Sequence, residues 1–167
     1  MKTLKQQLTN YALYHRSKRN IYTHFIGIPL IVFAIICLLQ RVTLISEPAV
    51  ISLATVVIAL TCLYYLMLSL SMGLIMAVCL SLLSIAAEPV VSLSTELWLA
   101  VSIGSFVVGW VFQFIGHYFE GKKPAFVDDL IGLVIGPLFV LAEFLIMLGF
   151  YKDIADHIEQ HAGPNKA

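Results

Sequence analysis

The sequence predicts an all-α fold: a polytopic membrane bundle of four to five spans, with an interfacial N-terminal helix and a broken or re-entrant last segment. Hydrophobic residues make up 60% of the 167 residues and charged residues only 12%, against about 25% charged in typical soluble domains. The apolar residues form five long segments, each near the roughly 20 residues that a spanning helix needs. A soluble domain of this size could not bury all five, so we expect one integral membrane domain over residues 1–167.

The N-terminal segment, residues 1–24, is predicted to lie on the membrane surface as a basic helix. It contains no acidic residue and five cations, which are Lys2, Lys5, Arg16, Lys18 and Arg19. Its tyrosines are residues that sit readily at the level of the lipid headgroups. Such a segment can bind anionic lipid, so membrane lipid is an expected partner and nucleic acid is not.

Residues 25–150 are predicted to hold the membrane spans. The first four are expected at 25–40, 49–67, 70–87 and 97–116. Pro29 lies in the first turns of the first span, where it can start or kink a helix. Glu47 and Pro48 lead into the second span. A Ser-Leu-Ser-Thr-Glu stretch before the fourth could cap it.

The fifth apolar segment, residues 130–150, has two possible arrangements. As a simple span it places the polar tail, residues 151–167, on the side opposite the N-terminus. As a re-entrant segment broken at Gly136 and Pro137 it returns the tail to the N-terminal side, and we favour this arrangement. Non-helical backbone at that depth needs protein or a cavity beside it.

The distribution of charge predicts that the N-terminus lies in the cytoplasm. Lys and Arg then gather on the inside, where Lys122 and Lys123 join the five N-terminal cations, while the outer loops carry Glu47, Glu88 and Glu96 with Arg41 as their one cation. Short loops and the absence of an obvious organelle signal favour a bacterial inner membrane over the endoplasmic reticulum. The same topology places His15, His24 and His117 at one membrane face.

These three histidines are candidate metal ligands, because ionisable residues at a membrane edge are costly and usually functional. A single site of neutral histidine and carboxylate ligands suits non-haem Fe(II) and dioxygen. A straight helix would hold His15 and His24 about 13 Å apart on opposite faces, so the chain must bend between them, and the run from Asn20 to Pro29 offers places for that bend. The alternative is a basic surface helix with incidental histidines.

Two further groups could contribute to such a site. Gln113, His117 and Glu120 share one helical face by their spacing, and His and Glu three apart can bind one ion. The alternative is a histidine that caps the helix beside a solvated glutamate. Glu143, inside an apolar run, could be a ligand, the partner of a metal-bound histidine or a neutral packing residue. His157 and His161 are better explained as residues of a solvated tail.

The chain resembles the membrane 2-hydroxy fatty acid dioxygenase family, whose fungal member acts in phytosphingosine degradation in the endoplasmic reticulum. The resemblance covers nearly the whole chain and is weakest in the second and third spans and the tail. It is carried by His15, Asn20, His24, Gly27 and Pro29, then by Gln113-Phe-Ile-Gly-His117, Glu120, Pro124-Ala125, Gly136-Pro137 and Glu143.

The resemblance implies an Fe(2+)-dependent α-oxidation, in which a 2-hydroxy long-chain fatty acid reacts with dioxygen and leaves one carbon shorter. It maps the essential histidines onto His15, His24 and His117, and Glu143 could complete the shell. From their placement, Arg16, Arg19, Lys122 and Lys123 could hold the substrate carboxylate. Asn20, Gln113 and Glu120 could orient ligands. The alternatives are a small transporter that uses Glu143 in the broken segment, or a lipid-binding protein with a non-catalytic metal site.

Overall fold

The computed structural model describes residues 2–47 and 49–166, and the fold is an all-α membrane bundle, as predicted. Helices account for most of the chain, and two short strands form one antiparallel pair. The elements are α1 (Leu4–Ala12), α2 (Lys18–Gln40), β1 (Thr43–Ile45), β2 (Ile51–Ser52), α3 (Leu53–Leu68), α4 (Leu70–Val91), α5 (Thr95–Glu120), a 3-10 turn (Ala125–Val127), α6 (Ile131–Met147) and α7 (Lys152–Ala162).

Among the described residues, three helices are long and apolar enough to cross a bilayer: α2, α4 and α5. Helices α6 and α7 form a pair bent by 113°, which adds a fourth span if the pair counts as one. Helix α3 has 16 residues, about 24 Å of helix against a hydrocarbon core of about 30 Å. It starts later than predicted because the residues before it pair as β1 and β2, and Ser52 caps it. Pro48 lies outside the described residues.

The N-terminal segment forms two helices, and the predicted place of the bend between His15 and His24 was wrong. Helix α1 ends at Ala12, the chain turns over residues 13–17, and α2 begins at Lys18 and continues unbroken through Pro29. A proline inside a membrane helix is tolerated where neighbouring groups satisfy the freed backbone. The turn at residues 13–17 therefore supplies the bend that both histidines need to face one point.

The last apolar segment is broken, but not at Gly136 and Pro137, where α6 is continuous. The break lies at residues 148–151, where Gly149 and Tyr151 adopt positive φ angles of 90° and 53°. Gly136 serves a close approach instead, since a Cβ there would lie 3.0 Å from the Tyr11 hydroxyl. Helix α7 then packs on α1, so the tail returns to the N-terminal helix.

The chain divides into two compact units, and one of them contains every predicted site residue. This unit comprises Met1–Ile28 and Trp110–Ala167. The other, Pro29–Gly109, has a small apolar core around Ile36, Cys37 and Ala87. In that unit the Trp98 indole N–H donates to the carbonyl of Cys37 at 2.9 Å. The expectation of a single domain stays a prediction.

Candidate metal centre

His15, His24 and His117 come together at one point of the first unit. Each offers a nitrogen, and these atoms all lie within 4.8 Å of one another. The ring centroids are 4.6 to 5.1 Å apart, and the three side chains are 0%, 1% and 7% exposed. Three imidazoles thus share one small interior space.

The hydrogen bonds of two of these rings fix which nitrogen faces inward. Nδ1 of His15 lies 2.8 Å from the carbonyl oxygen of Tyr11, and Nδ1 of His24 lies 2.9 Å from that of Asn20. A carbonyl can only accept, so Nδ1 is the protonated nitrogen of each ring. In the neutral rings both Nε2 atoms are therefore bare.

These two bare Nε2 atoms lie 3.0 Å apart. Two lone pairs at that distance repel unless a proton or a cation lies between them. Burial lowers the pKa of His15, and the neighbouring His24 lowers it further, which disfavours the proton. Two nitrogens each about 2.1 Å from one metal ion lie about 3.0 to 3.5 Å apart at bond angles of 90 to 110°. The donor set therefore fits a metal ion.

Helix α5 can bring His117 close to α2 because the preceding residue is a glycine. A Cβ at Gly116 would lie 2.2 Å from Oγ1 of Thr23 and 2.4 Å from Oδ1 of Asn20. Both distances are far below van der Waals contact, so no side chain fits at this position without movement. Gly116 is what lets the third histidine approach the other two.

Two aromatic rings pack against the centre. The Tyr11 ring stacks on the His15 ring with 4.1 Å between centroids and 3° between planes. The ring centroid of Phe139, in α6, lies 4.8 Å from that of Tyr11 and 5.6 Å from that of His15. The backbone carbonyl of Tyr11 also accepts the Nδ1–H of His15. This hydrogen bond and the contacts with the Tyr11 and Phe139 rings together fix the orientation of the His15 ring.

Glu120, predicted to orient ligands, holds the start of α2. Its Oε2 accepts from the backbone N–H of Ser17 at 2.7 Å and from the side-chain amide of Asn20 at 3.1 Å. A carboxylate suits this place, because the first N–H groups of a helix have no partner within it. Asn20 in turn offers its carbonyl to His24. Glu120 and Asn20 thus support His24 without joining the three histidines as ligands.

Glu143 and Arg16, predicted as ligand and carboxylate binder, form a buried ion pair with each other. Nη2 of Arg16 lies 3.3 Å from Oε1 of Glu143, and the side chains are only 6% and 7% exposed. Burial lowers the pKa of Arg16, while Glu143 opposes that shift. The group of three possible ligands does not include Glu143.

Loss of the Glu143 charge is expected to destabilise the fold. In Glu143→Gln the buried guanidinium loses its counter-charge, and breaking a buried pair from one side costs about 3 kcal/mol or more. Denaturant unfolding in detergent measures this loss. Asp153→Asn, which breaks the exposed pair of Asp153 with Lys5, is the control and should unfold almost like the wild type. Equal stability of the two variants would contradict a stabilising buried pair.

The other predicted site residues have contacts outside the three histidines. The guanidinium of Arg19 lies 5.4 Å from the centroid of the Phe119 ring. Nζ of Lys122 donates to the carbonyl of Leu13 at 2.8 Å, and Lys123 pairs with Asp128 at 2.5 Å. Gln113 is 5% exposed, and among the described residues its amide nitrogen has no hydrogen-bond partner.

Tyr11, Gly116 and Phe139 were not predicted as site residues, although Gly116 belongs to the Gln113-to-His117 motif that carries the family resemblance. The spacing of four between Tyr11 and His15, and the glycine directly before His117, were signals for the first two. Phe139 lies in a uniformly apolar helix, where nothing in the sequence separates it from its neighbours. Its role follows only from the packing of α6 on α1.

Comparison with known proteins agrees with the expected family. A family model described as 2-hydroxy-palmitic acid dioxygenase Mpo1-like matches residues 1–148. The 2-hydroxy-palmitic acid dioxygenase MPO1 of Saccharomyces cerevisiae is 38% identical over 158 residues, which cover 93% of this chain and 87% of the yeast protein. No solved structure matches. The chain therefore belongs to the Mpo1-like family, as the resemblance implied.

Proposed function

We propose that this protein is an Fe(2+)-dependent dioxygenase that carries out α-oxidation of 2-hydroxy long-chain fatty acids in a membrane. The metal is supported by the facing Nε2 atoms of His15 and His24, which lie 3.0 Å apart while the Nδ1 atom of each ring contacts a backbone carbonyl. The substrate class follows the name of the yeast relative, a 2-hydroxy-palmitic acid dioxygenase.

His15, His24 and His117 would hold the iron, and Glu143 stays outside this ligand set in the proposal. Bound ferrous iron supplies affinity for dioxygen and one-electron chemistry. Three neutral imidazoles would leave the charge of the ion uncompensated by protein ligands. A site of that charge favours an anionic substrate, and the carboxylate of a 2-hydroxy acid meets this requirement.

The proposed reaction balances without a second reductant. A 2-hydroxy acid, RCH(OH)COOH, and one dioxygen give RCOOH, carbon dioxide and water. The bond between the carboxyl carbon and the hydroxyl-bearing carbon breaks, the latter carbon becomes the new carboxyl group, and the substrate supplies all four electrons. No other organic cosubstrate is therefore required.

The polar residues around the centre take supporting roles in this proposal. Gln113 lies one helical turn before His117, and its buried amide nitrogen, unpartnered among the described residues, would donate to a bound substrate. Asn20 and Glu120 keep His24 in position. Arg19 and Lys122 would attract the carboxylate at the rim, whereas Arg16 is committed to Glu143.

We propose that the N-terminal end, and the metal centre with it, lies at the cytoplasmic face, because this end carries an excess of cations. The tail contacts the same end, since Lys5 pairs with Asp153 at 2.9 Å. The expectation of a bacterial inner membrane gains no support from the comparisons, since the relative is a yeast protein.

The reaction is tested by product analysis of protein loaded with Fe(2+) under anaerobic conditions. With 2-hydroxypalmitic acid and dioxygen, we expect the fifteen-carbon acid and one dioxygen consumed per product. Palmitic acid itself, which lacks the hydroxyl group, should consume no oxygen. Turnover of both acids at the same rate, or of neither by the iron-loaded protein, would contradict the proposal.

A further inference from the structure

We propose that the tail segment, residues 163–166, is a positioning element for His15, and that it slows the release of the metal ion. The inference rests on the proposed metal centre. It concerns a part of the chain beyond residue 148, where the match to the family model ends.

His15 needs outside support because it belongs to a turn and not to a helix. It lies within residues 13–17, between α1 and α2. The N–H of His15 donates to the carbonyl of Ala12 at 3.0 Å, but the carbonyl of Arg16 and the N–H of Ser17 have partners far along the chain. The position of His15 therefore depends in part on the groups that bind the residues directly after it.

The tail provides two of these partners through its backbone. The N–H of Lys166 donates to the carbonyl of Arg16 at 2.7 Å, and the N–H of Lys18 donates to the carbonyl of Lys166 at 3.1 Å. Together they form a parallel bridge between Ser17 and Lys166. The backbone of Lys166 thus binds Arg16 and Lys18, the two residues on either side of Ser17. Arg16 directly follows His15.

The side chain of Arg16 makes a second link between the tail and the ligand. Its Nη1 donates to the carbonyl of Gly163 at 2.9 Å, and its Nε donates to the carbonyl of His15 at 3.2 Å. The guanidinium therefore joins a tail carbonyl to the backbone of the metal-binding residue itself. Arg16 is buried, so water does not readily replace these bonds.

Helix α7 holds the tail at this place. Its apolar face buries Ile154 and Ile158, and it packs on α1. The positive φ angles of Gly149 and Tyr151 turn the chain back after α6. The tail thus follows an element that is docked beside the same turn, so its contacts with Arg16 and Lys18 are part of the folded unit.

The experiment compares Lys166→Pro with Lys166→Ala. Proline removes the N–H that donates to Arg16, while alanine keeps it and deletes only an exposed side chain. A third variant ends after Ala162 and lacks the whole segment. The rate at which a ferrous chelator removes iron from the anaerobically loaded protein is measured for each variant, together with the melting temperature and amide hydrogen exchange over residues 13–18.

We expect iron to leave Lys166→Pro and the shortened chain about tenfold faster, in the range that loss of a supporting partner of a metal ligand produces. Amide exchange over residues 13–18 should also speed up, with little change in melting temperature. Lys166→Ala should match the wild type in all three readouts. Wild-type rates of iron release and exchange in Lys166→Pro and in the shortened chain would overturn the inference. A wild-type protein that binds no iron would instead refute the proposed function, and the positioning role with it.

Discussion

Replacing His117 by alanine is expected to lower the oxidation of a 2-hydroxy acid by about a thousandfold or more, equal to about 4 kcal/mol of activation barrier. The substitution removes one of three buried nitrogens that lie within 4.8 Å of one another. His15 and His24 alone would then hold the ion, with water in place of the third imidazole. The rate of oxygen consumption at saturating substrate measures the effect.

His161→Ala is the matched control for this prediction. His161 and His157 also form a histidine pair, with centroids 4.2 Å apart, but the pair belongs to α7, where His161 is exposed. This variant should keep the wild-type rate. If His117→Ala oxidises the substrate as fast as His161→Ala does, the buried histidines are not the catalytic centre.

Gly116→Ala is expected to abolish iron binding although it adds a single methyl group. In an ordinary helix this change stabilises by about 1 kcal/mol. Here the new Cβ would lie 2.2 Å from Oγ1 of Thr23 and 2.4 Å from Oδ1 of Asn20. Thr23 Oγ1 donates to the carbonyl of Asn20, which also accepts the Nδ1–H of His24. Relief of the clash therefore moves His24, and overpacking costs a further ~1–3 kcal/mol.

Gly104→Ala in the same helix separates this steric effect from helix propensity. A Cβ at Gly104 has no described atom within 4 Å, so this variant should bind iron like the wild type and melt at the same or a higher temperature. Iron content after anaerobic loading is compared for the two variants. Full iron content in Gly116→Ala would show that the close contact of α5 with α2 is not needed for the site.

The fold class was predictable because the length of an apolar segment and the scarcity of charge both report on the bilayer. The place of the bends was not. The turn at residues 13–17 is stabilised by Glu120 and Lys122, which lie about a hundred residues further along the chain. The helices also continue through Pro29 and Pro137. This continuity depends on packing between helices, and the tendency of proline to break a helix gives no information about that packing.

The three histidines were predictable from their type and place, but their neighbours depended on the tertiary structure. The sequence shows that Glu143 needs a partner, yet Arg16 is 127 positions away and was assigned to the substrate. Gly116 illustrates the opposite case, since its small size matters only because α2 lies against it. The spacing of residues along one helix predicts which of them share a face. It does not predict which residues of two different helices are in contact.

The existence of the metal centre is tested by the iron content of the wild type and of His24→Ala, measured after anaerobic loading with Fe(2+) and removal of free metal. His24 is 1% exposed, and its Nε2 faces that of His15. We expect about one iron per chain in the wild type and none retained by the variant. A wild type without iron, or a variant that retains it in full, would contradict the metal centre proposed for this protein.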